Sequence, residues 1–359
     1  AVSGHHLWAE RYDRDLKDIF AVQDELTKKI ITAMQVELTW GEQARVDAKG
    51  TESLQAYLKF LEAREVVNKL NIEANALGRQ LSQEAIELDP QYAKPYRILA
   101  ATYRMDVILG NSKSPKESMG KCIELLKKAI ELDVTYAEAY GALGFTLSLL
   151  GQHEKAVATA EQAVALDPNS ATTYAMLGHT LRLADRPKEA IQAYSKAIRL
   201  NPIPPTFYQF GLGMSYGLDG QYEKGIQWCE NAVKQNPDDF FARLMLTAVY
   251  SMAGQDEKAR AEAKEALRIN PKYSLAKAEQ RAKIKYKDKW FAALRKAGLA
   301  DNEPIQKPSK PTIAVLPFKY LSDNPDQKYI ADGVTENIIT ALSKIPEMLV
   351  ISRNSVFTY

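Results

Sequence analysis

An apolar residue, then Asp or Asn, then in most cases Pro returns along this chain at nearly constant intervals. The instances are Leu88-Asp89-Pro90, Leu132-Asp133-Val134, Leu166-Asp167-Pro168, Leu200-Asn201-Pro202, Asn236-Pro237 and Ile269-Asn270-Pro271. Their spacings are 44, 34, 34, 35 and 34 residues, with Val134 standing where the others have Pro. Such a period marks a stack of supersecondary units, each of which buries its apolar face only against its neighbours. A period of this length fits units of two helices each. Pro168 and its equivalents stop the second helix, because Pro lacks an N–H and clashes inside a helix.

The inner pattern repeats as well. One instance is Tyr140, Leu143, Gly144, Leu147, Gly151, Ala156, Ala163, Pro168. Another is Leu212, Gly213, Tyr216, Gly220, Gly225, Ala232, Pro237, and a third is Leu246, Tyr250, Gly254, Ala259, Ala266, Pro271. Small residues such as Gly144, Ala156 and Ala163 let paired helices approach closely, while Leu and Tyr fill the gaps between them. Gly151, Gly220 and Gly254 supply the turn between helices. These positions resemble the tetratricopeptide repeat (TPR) over about residues 93–271, with a degenerate unit at 54–90. The predicted fold is mainly α: a right-handed helical solenoid of five to six repeats (54–90, 93–134, 137–170, 171–204, 206–239, 240–271), flanked by partial α/β segments. The 44-residue unit is expected to carry a longer loop near Gly110–Pro115.

After the last repeat, residues 272–299 read as a basic cap built on a helix over about Ser274–Ala297. From Lys272 to Lys296 there are nine Lys/Arg against Glu279 and Asp288, a local charge of +7. Repeat arrays need a polar end cap. A second reading is a basic surface for an anionic partner, made by Lys277, Arg281, Lys283, Lys285, Lys287 and Lys289.

Outside the array the pattern changes. Residues 300–311 are a Pro-rich polar linker. Thr312–Phe318 and Leu349–Phe357 read as strands around a helix at Asp332–Ile345, an α/β pattern over 312–359. Within 1–45, His6–Tyr12 reads as a strand and Ile19–Leu38 as an amphipathic helix. The IAVLPF run, the Asn-Pro-Asp-Gln loop, the Ala-Asp-Gly-Val-Thr-Glu helix start and the Ile-Ser-Arg-Asn-Ser strand resemble the opening half of a TolB-N-terminus-like α/β domain. SGHHLWAERYDRDLKDIFAVQDELTKKII resembles its closing half. Such domains accompany TPR arrays in relatives of bacterial class III adenylate/guanylate cyclases. In the family the opening half precedes the closing half. The reversed order in this chain fits a piece of a tandem protein, a chain with truncated ends, or a permutation whose halves pair between chains into oligomers or filaments. The absent initiator Met favours the first two.

Composition excludes several classes. Forty-seven Lys+Arg against 45 Asp+Glu leave +2, which gives no global polyanion signal, and no nucleic-acid fold signature is present. No apolar run approaches the length of a transmembrane span. The opening residues lack the basic and apolar regions of a secretory signal. Cys122 and Cys229 stand 107 residues apart without a CxxC or nearby His, so they read as small core residues. His5-His6 does not chelate one metal readily. Gly211-x-Gly213 falls inside a helix, His153-Glu154 lacks the rest of a zinc motif, and Asp13-Arg14-Asp15 reads as helix capping. The chain is therefore expected to be non-enzymatic, with no cofactor and no metal. Catalysis, if any, belongs to a parent nucleotide cyclase.

The resemblance implies a protein or peptide partner on the concave face, lined by the first helix of each unit. The residues it places there are Arg97, Arg104, Phe145, His179, Arg182, Phe207, Phe210, Met214, Phe241, Leu244 and Met252. They make a groove that is basic in its first half and aromatic and Met-rich in its second, suited to an extended or amphipathic peptide. Packing against neighbouring helices or against the chain ends is the competing reading. The expected compartment is the cytoplasm, with a periplasmic or extracellular site as the alternative.

Overall fold

The computed structural model describes residues 50–299, together with 20–23, 26, 312–314, 338, 341–342 and 349–351. The predicted strand at His6–Tyr12, most of the helix at Ile19–Leu38, the linker 300–311, His5-His6 and Asp13–Asp15 lie outside the described residues. The chain divides into two units, Ala1–Asp301 and Asn302–Tyr359.

The first unit is a succession of antiparallel helix pairs: α1 (Leu54–Val67) with α2 (Ile72–Leu88), α3 (Ala93–Leu109) with α4 (Pro115–Leu132), and α5 (Ala137–Leu149) with α6 (His153–Leu166). These are followed by α7 (Ala171–Leu183) with α8 (Pro187–Leu200), α9 (Thr206–Leu218) with α10 (Tyr222–Gln235), and α11 (Phe240–Met252) with α12 (Asp256–Ile269). The first helix of each pair also packs on the first helix of the next. Two shorter helices follow, α13 (Leu275–Arg281) and α14 (Lys287–Lys296).

The punctuation that organises the sequence is the C-cap of each second helix. Asp89, Asp133, Asp167, Asn201, Asn236 and Asn270 each cap such a helix in non-helical backbone. The carboxylate or amide oxygen then accepts the N–H two residues on: Gln91 at 3.0 Å, Thr135 at 2.9 Å, Asn169 at 3.2 Å and Asp238 at 3.2 Å. This turn skips the intervening residue, so Pro costs it no donor. The same geometry explains why Val134 is tolerated.

Close helix approach uses the predicted small residues. A Cβ placed on Gly144 would lie 2.8 Å from the Ala156 carbonyl oxygen and 3.0 Å from the Ala160 nitrogen. Cys122 and Cys229 are both free and fully buried. The inter-helix turns place Gly151, Gly220 and Gly254 at φ of 81°, 83° and 75°, a region that L side chains disfavour. In the α7–α8 turn the same backbone is taken by Asp185, at φ 58°.

The structure refines one expectation and corrects another. The 44-residue unit has the longer connection expected, 110–114 against 150–152 in the next unit, but that connection takes only a small part of the ten extra residues. Compared with α5 and α6, helices α3 and α4 are each four residues longer, and the connection gains only two. Gly110, at φ 78°, supplies the left-handed C-cap where α3 ends. The basic helix at Ser274–Ala297 is not continuous, since α13 ends at Arg281 and Ala282 is extended, with ψ 128°. The residues that follow explain the break. Ala282, Ile284 and Tyr286 alternate with the exposed Lys283 and Lys285, a two-residue period that suits an extended segment with one buried face.

In the second unit, β1 (Thr312–Ala314) and β2 (Leu349–Ile351) pair in parallel, with Thr312 opposite Leu349. Residues 338, 341 and 342, between them in sequence, are helical.

Candidate functional site: the inner face of the array

The predicted groove residues fall into three groups. Phe210, Met214 and Leu244 are buried in the core of the last repeats, together with Leu183, Tyr286, Trp290, Phe291 and Leu294. Phe207, Phe241 and Met252 are half-buried against the same core. Arg97, Arg104, Phe145, His179 and Arg182 form a polar and aromatic seam across α3, α5 and α7.

In that seam, Arg97 is tied down. Its Nη2 pairs with Glu138 at 2.8 Å, and its Nε donates to the Tyr136 hydroxyl at 2.6 Å. One acid, Glu138, therefore balances its charge. Arg104 and Arg182 differ. They are 6 % and 4 % exposed, and among the described residues neither has a carboxylate partner. Arg104 donates to Thr146 Oγ1 at 3.2 Å and lies over the Phe145 ring, with its Cζ 5.0 Å from the centroid. Arg182 donates to the Tyr286 hydroxyl and to His179 Nδ1, the latter at 3.3 Å. In both arginines Nε is buried without a partner. His179 stacks between Phe145 at 5.1 Å and Phe207 at 5.7 Å, with Tyr194 edge-on at 5.5 Å. Burial, and then the charges of Arg182 and Arg104, hold its imidazole well below the usual histidine range. It is neutral at physiological pH, as its acceptor role toward Arg182 requires.

The seam is covered by the chain's own C-terminal extension. The Lys285 N–H donates to the Leu183 carbonyl at 3.2 Å, and His153 Nε2 meets the Lys283 carbonyl at 2.9 Å. Arg281 Nη1 reaches the Val107 carbonyl at 3.4 Å, and Lys289 Nζ reaches the Leu218 carbonyl at 3.2 Å. Val107, Leu183 and Leu218 lie in the last turns of α3, α7 and α9. Residues 281–289 thus run past the C-terminal ends of successive first helices and cap them. Negative helix ends favour such cations. Of the predicted basic surface, Lys277, Lys283, Lys285 and Lys289 are exposed, while Arg281 and Lys287 are half-buried.

Sequence reasoning did not reveal Tyr286, Trp290 or Ile284 as part of this face. The signal available was the alternating Ala-Lys-Ile-Lys-Tyr run inside an otherwise helical pattern. Among the described residues no group of three His, Cys, Asp or Glu is arranged to hold a metal, and no helix is long and apolar enough to cross a membrane. Gly211 and Gly213 lie inside α9, packed on Tyr194 and Cys229.

Models of the tetratricopeptide repeat match residues 125–158, 171–204 and 208–239. The chain is 32% identical over 154 residues to "Putative adenylate cyclase 3" of Rhizobium meliloti (strain 1021), covering 43% of this chain and 26% of that protein. It therefore spans about a quarter of that relative's length. Among solved structures, the human IFIT1 dimer with PPP-AAAA aligns with a TM-score of 0.50 at 20% identity, over 63% of this chain and 51% of that one. MamA aligns at 28% identity with a TM-score of 0.35, over 45% of this chain and 95% of its own. The matched helix pairs of the first unit are tetratricopeptide repeats, a scaffold type for protein–protein interaction, and the helix pairs before and after them continue the same solenoid.

Proposed function

We propose that this chain is a non-catalytic scaffold or regulatory region in bacterial signalling that holds an extended protein or peptide segment on the inner face of its repeats. One observation carries the reading: the inner face already holds an extended segment, Ala282–Tyr286, by a main-chain hydrogen bond, a side-chain contact to Arg182 and alternate apolar side chains. A partner segment of similar shape finds the same features there. The relative named as an adenylate cyclase supports a role beside a nucleotide cyclase, with the catalytic groups carried by a separate domain. The free, buried cysteines suit a reducing cytoplasm.

Photo-crosslinking tests the reading. A benzophenone amino acid placed at Phe207 or Phe241 is expected to give a mapped adduct with a partner. The same group at the exposed Lys264 on α12 is expected to give none. Adducts from Lys264 alone overturn the reading.

A second reading is head-to-tail self-association through complementary terminal halves. The parallel β1–β2 pair, with helical residues between the two strands in sequence, supports it: this is a βαβ-like half-unit with a sheet edge to offer. A mass independent of concentration in light scattering counts against it.

A further inference from the structure

Building on the inner-face reading above, we propose that the seam at Arg182, His179 and Arg104 is a carboxylate-binding site. Residues 282–286 close it, and an extended partner segment bearing a Glu or Asp side chain opens it by displacing Tyr286 from Arg182.

Two guanidinium groups more than nine-tenths buried, with no carboxylate paired to them among the described residues, form an incomplete arrangement. A buried charge is ordinarily paired, because its lost hydration must be replaced. In this seam the replacement is partial. Arg182 has the Tyr286 hydroxyl, a neutral imidazole nitrogen and the Tyr194 hydroxyl close by, Arg104 has one threonine hydroxyl, the Cys122 thiol close by and an aromatic face, and both retain an unpartnered Nε. The Ser148 hydroxyl is likewise buried without a partner. Arg104, Ser148 and Arg182 are each the twelfth residue of their helices, α3, α5 and α7. The unmet groups therefore recur at one position across three successive first helices. Phe145 and His179 connect them, stacked 5.1 Å apart.

The Tyr286 hydroxyl fits this site as a neutral substitute for an anion. A carboxylate accepts two hydrogen bonds from a guanidinium in fork geometry, and such charge-assisted bonds are stronger than those to a neutral oxygen. The occupant is also held in a displaceable way. Its main chain is held at two points, by the Lys285 N–H on the Leu183 carbonyl and by His153 Nε2 on the Lys283 carbonyl, and Lys283 and Lys285 face solvent. A partner segment with an apolar residue two places before an acid reproduces the Ile284/Tyr286 spacing and adds the missing charge.

The test uses the full chain and two fluorescein-labelled pentapeptides, Ala-Ser-Ile-Ser-Glu and Ala-Ser-Ile-Ser-Gln. Anisotropy is expected to show the Glu peptide binding at least tenfold tighter than the Gln peptide. The Glu peptide is also expected to speed tryptic cleavage after Lys283 and Lys285 severalfold, as the closing segment lifts away. Tyr286→Phe keeps the ring in place and removes the hydroxyl, so it should bind the Glu peptide more tightly than the unmodified chain does. Arg182→Gln should abolish the discrimination between peptides. Equal affinity for the two peptides, no binding of either, or binding without faster cleavage overturns the site. Inner-face crosslinks to a partner alongside equal peptide affinities remove the carboxylate site and leave the scaffold reading standing. Crosslinks from the outer face alone remove the scaffold reading itself.

Discussion

Gly213 in α9 and Gly120 in α4 are both helical glycines, and helix propensity alone predicts that alanine stabilises each by about 0.8–1.0 kcal/mol. The structure separates them. A Cβ on Gly213 would lie 2.5 Å from Cys229 Sγ, 2.8 Å from the Gly225 carbonyl oxygen and 3.0 Å from the Cys229 nitrogen. Comfortable separations are about 3.5–4.0 Å, so α9 and α10 would have to part by roughly 1 Å. Two of the three obstacles are backbone and cannot turn aside. Overpacking of this kind costs about 1–3 kcal/mol. With the upper end of that range and the propensity gain subtracted, Gly213→Ala should lose about 2 kcal/mol. For an array of this size that corresponds to a fall of about 4–8 °C in Tm. A Cβ on Gly120 meets nothing within 4 Å, so Gly120→Ala should gain up to about 1 kcal/mol. Adding Cys229→Ala to Gly213→Ala removes the sulfur contact and leaves the Gly225 carbonyl, so recovery should be incomplete. Calorimetry gives the melting temperatures. Hydrogen exchange in α9 and α10 localises the loss, because arrays open repeat by repeat. A Gly213→Ala chain that melts at or above the unmodified one refutes the close-approach argument.

Three further outcomes follow from single sites. Asp185→Gly should gain roughly 0.5 kcal/mol and Gly220→Ala should lose roughly 1 kcal/mol in urea denaturation, since both positions hold left-handed backbone; matching signs would refute the turn assignment. Asp239 caps α11 while 2 % exposed, accepting from Phe241 N and Ala242 N at 2.9 and 3.1 Å, and burial raises its carboxyl above the usual range. The folded state then holds more protons than the unfolded, so stability falls as pH rises through the folded value. The chain should therefore gain on Asp239→Asn as pH drops from 6 to 4, measured as urea midpoints. His179 shifts the opposite way, downward by burial and the two arginines. Its contribution is present above the unfolded value of about 6.5 and lost as pH falls below it. His179→Gln should flatten that acid limb of the stability profile, and an unchanged limb would count against a buried neutral imidazole.

The repeat is legible in the sequence because its determinants are local. The Asp/Asn cap, the turn over the following residue and the small residues at helix contacts all act within one unit. Where a unit departs from the pattern, legibility fails for a physical reason. Asp185 takes the place of a glycine by accepting left-handed backbone, and no glycine marks the turn. The ten extra residues of the α3–α4 unit carry a Gly-Asn-Ser-Lys-Ser-Pro run that reads as a loop. Yet most of the added length goes into four further residues in each helix. The residues expected on the inner face are of two kinds, because repeat position does not tell a groove side chain from a core one. Met214 and Leu244 lie in one buried core with Trp290 and Phe291 of α14, which come from beyond the repeats.

The basic stretch shows most clearly what a local reading misses. Counted along the chain it is +7, which suggests an anionic partner. In the fold Lys296 pairs with Asp256 and Arg295 with Glu279, but for Arg281 and Lys289 the anionic counterpart is not a residue side chain. Each α-helix carries about half a negative charge at its C-terminal end, and the ends of α3, α7 and α9 meet one path followed by residues 281–289. The donors and their carbonyl acceptors are separated by 174 residues for Arg281 and Val107 and by 71 for Lys289 and Leu218. Charge counting sees the lysines but not the aligned carbonyls. The arginines beneath present the converse case. Arg97 looks like Arg104 in sequence, but Glu138 on the next first helix neutralises it. Arg104, two turns further along the same helix, and Arg182 have no paired carboxylate among the described residues. The extension thus satisfies the helix ends with its cations and offers only a phenol to Arg182. That mismatch within one segment is why its cationic residues read as structural and its Tyr286 reads as replaceable.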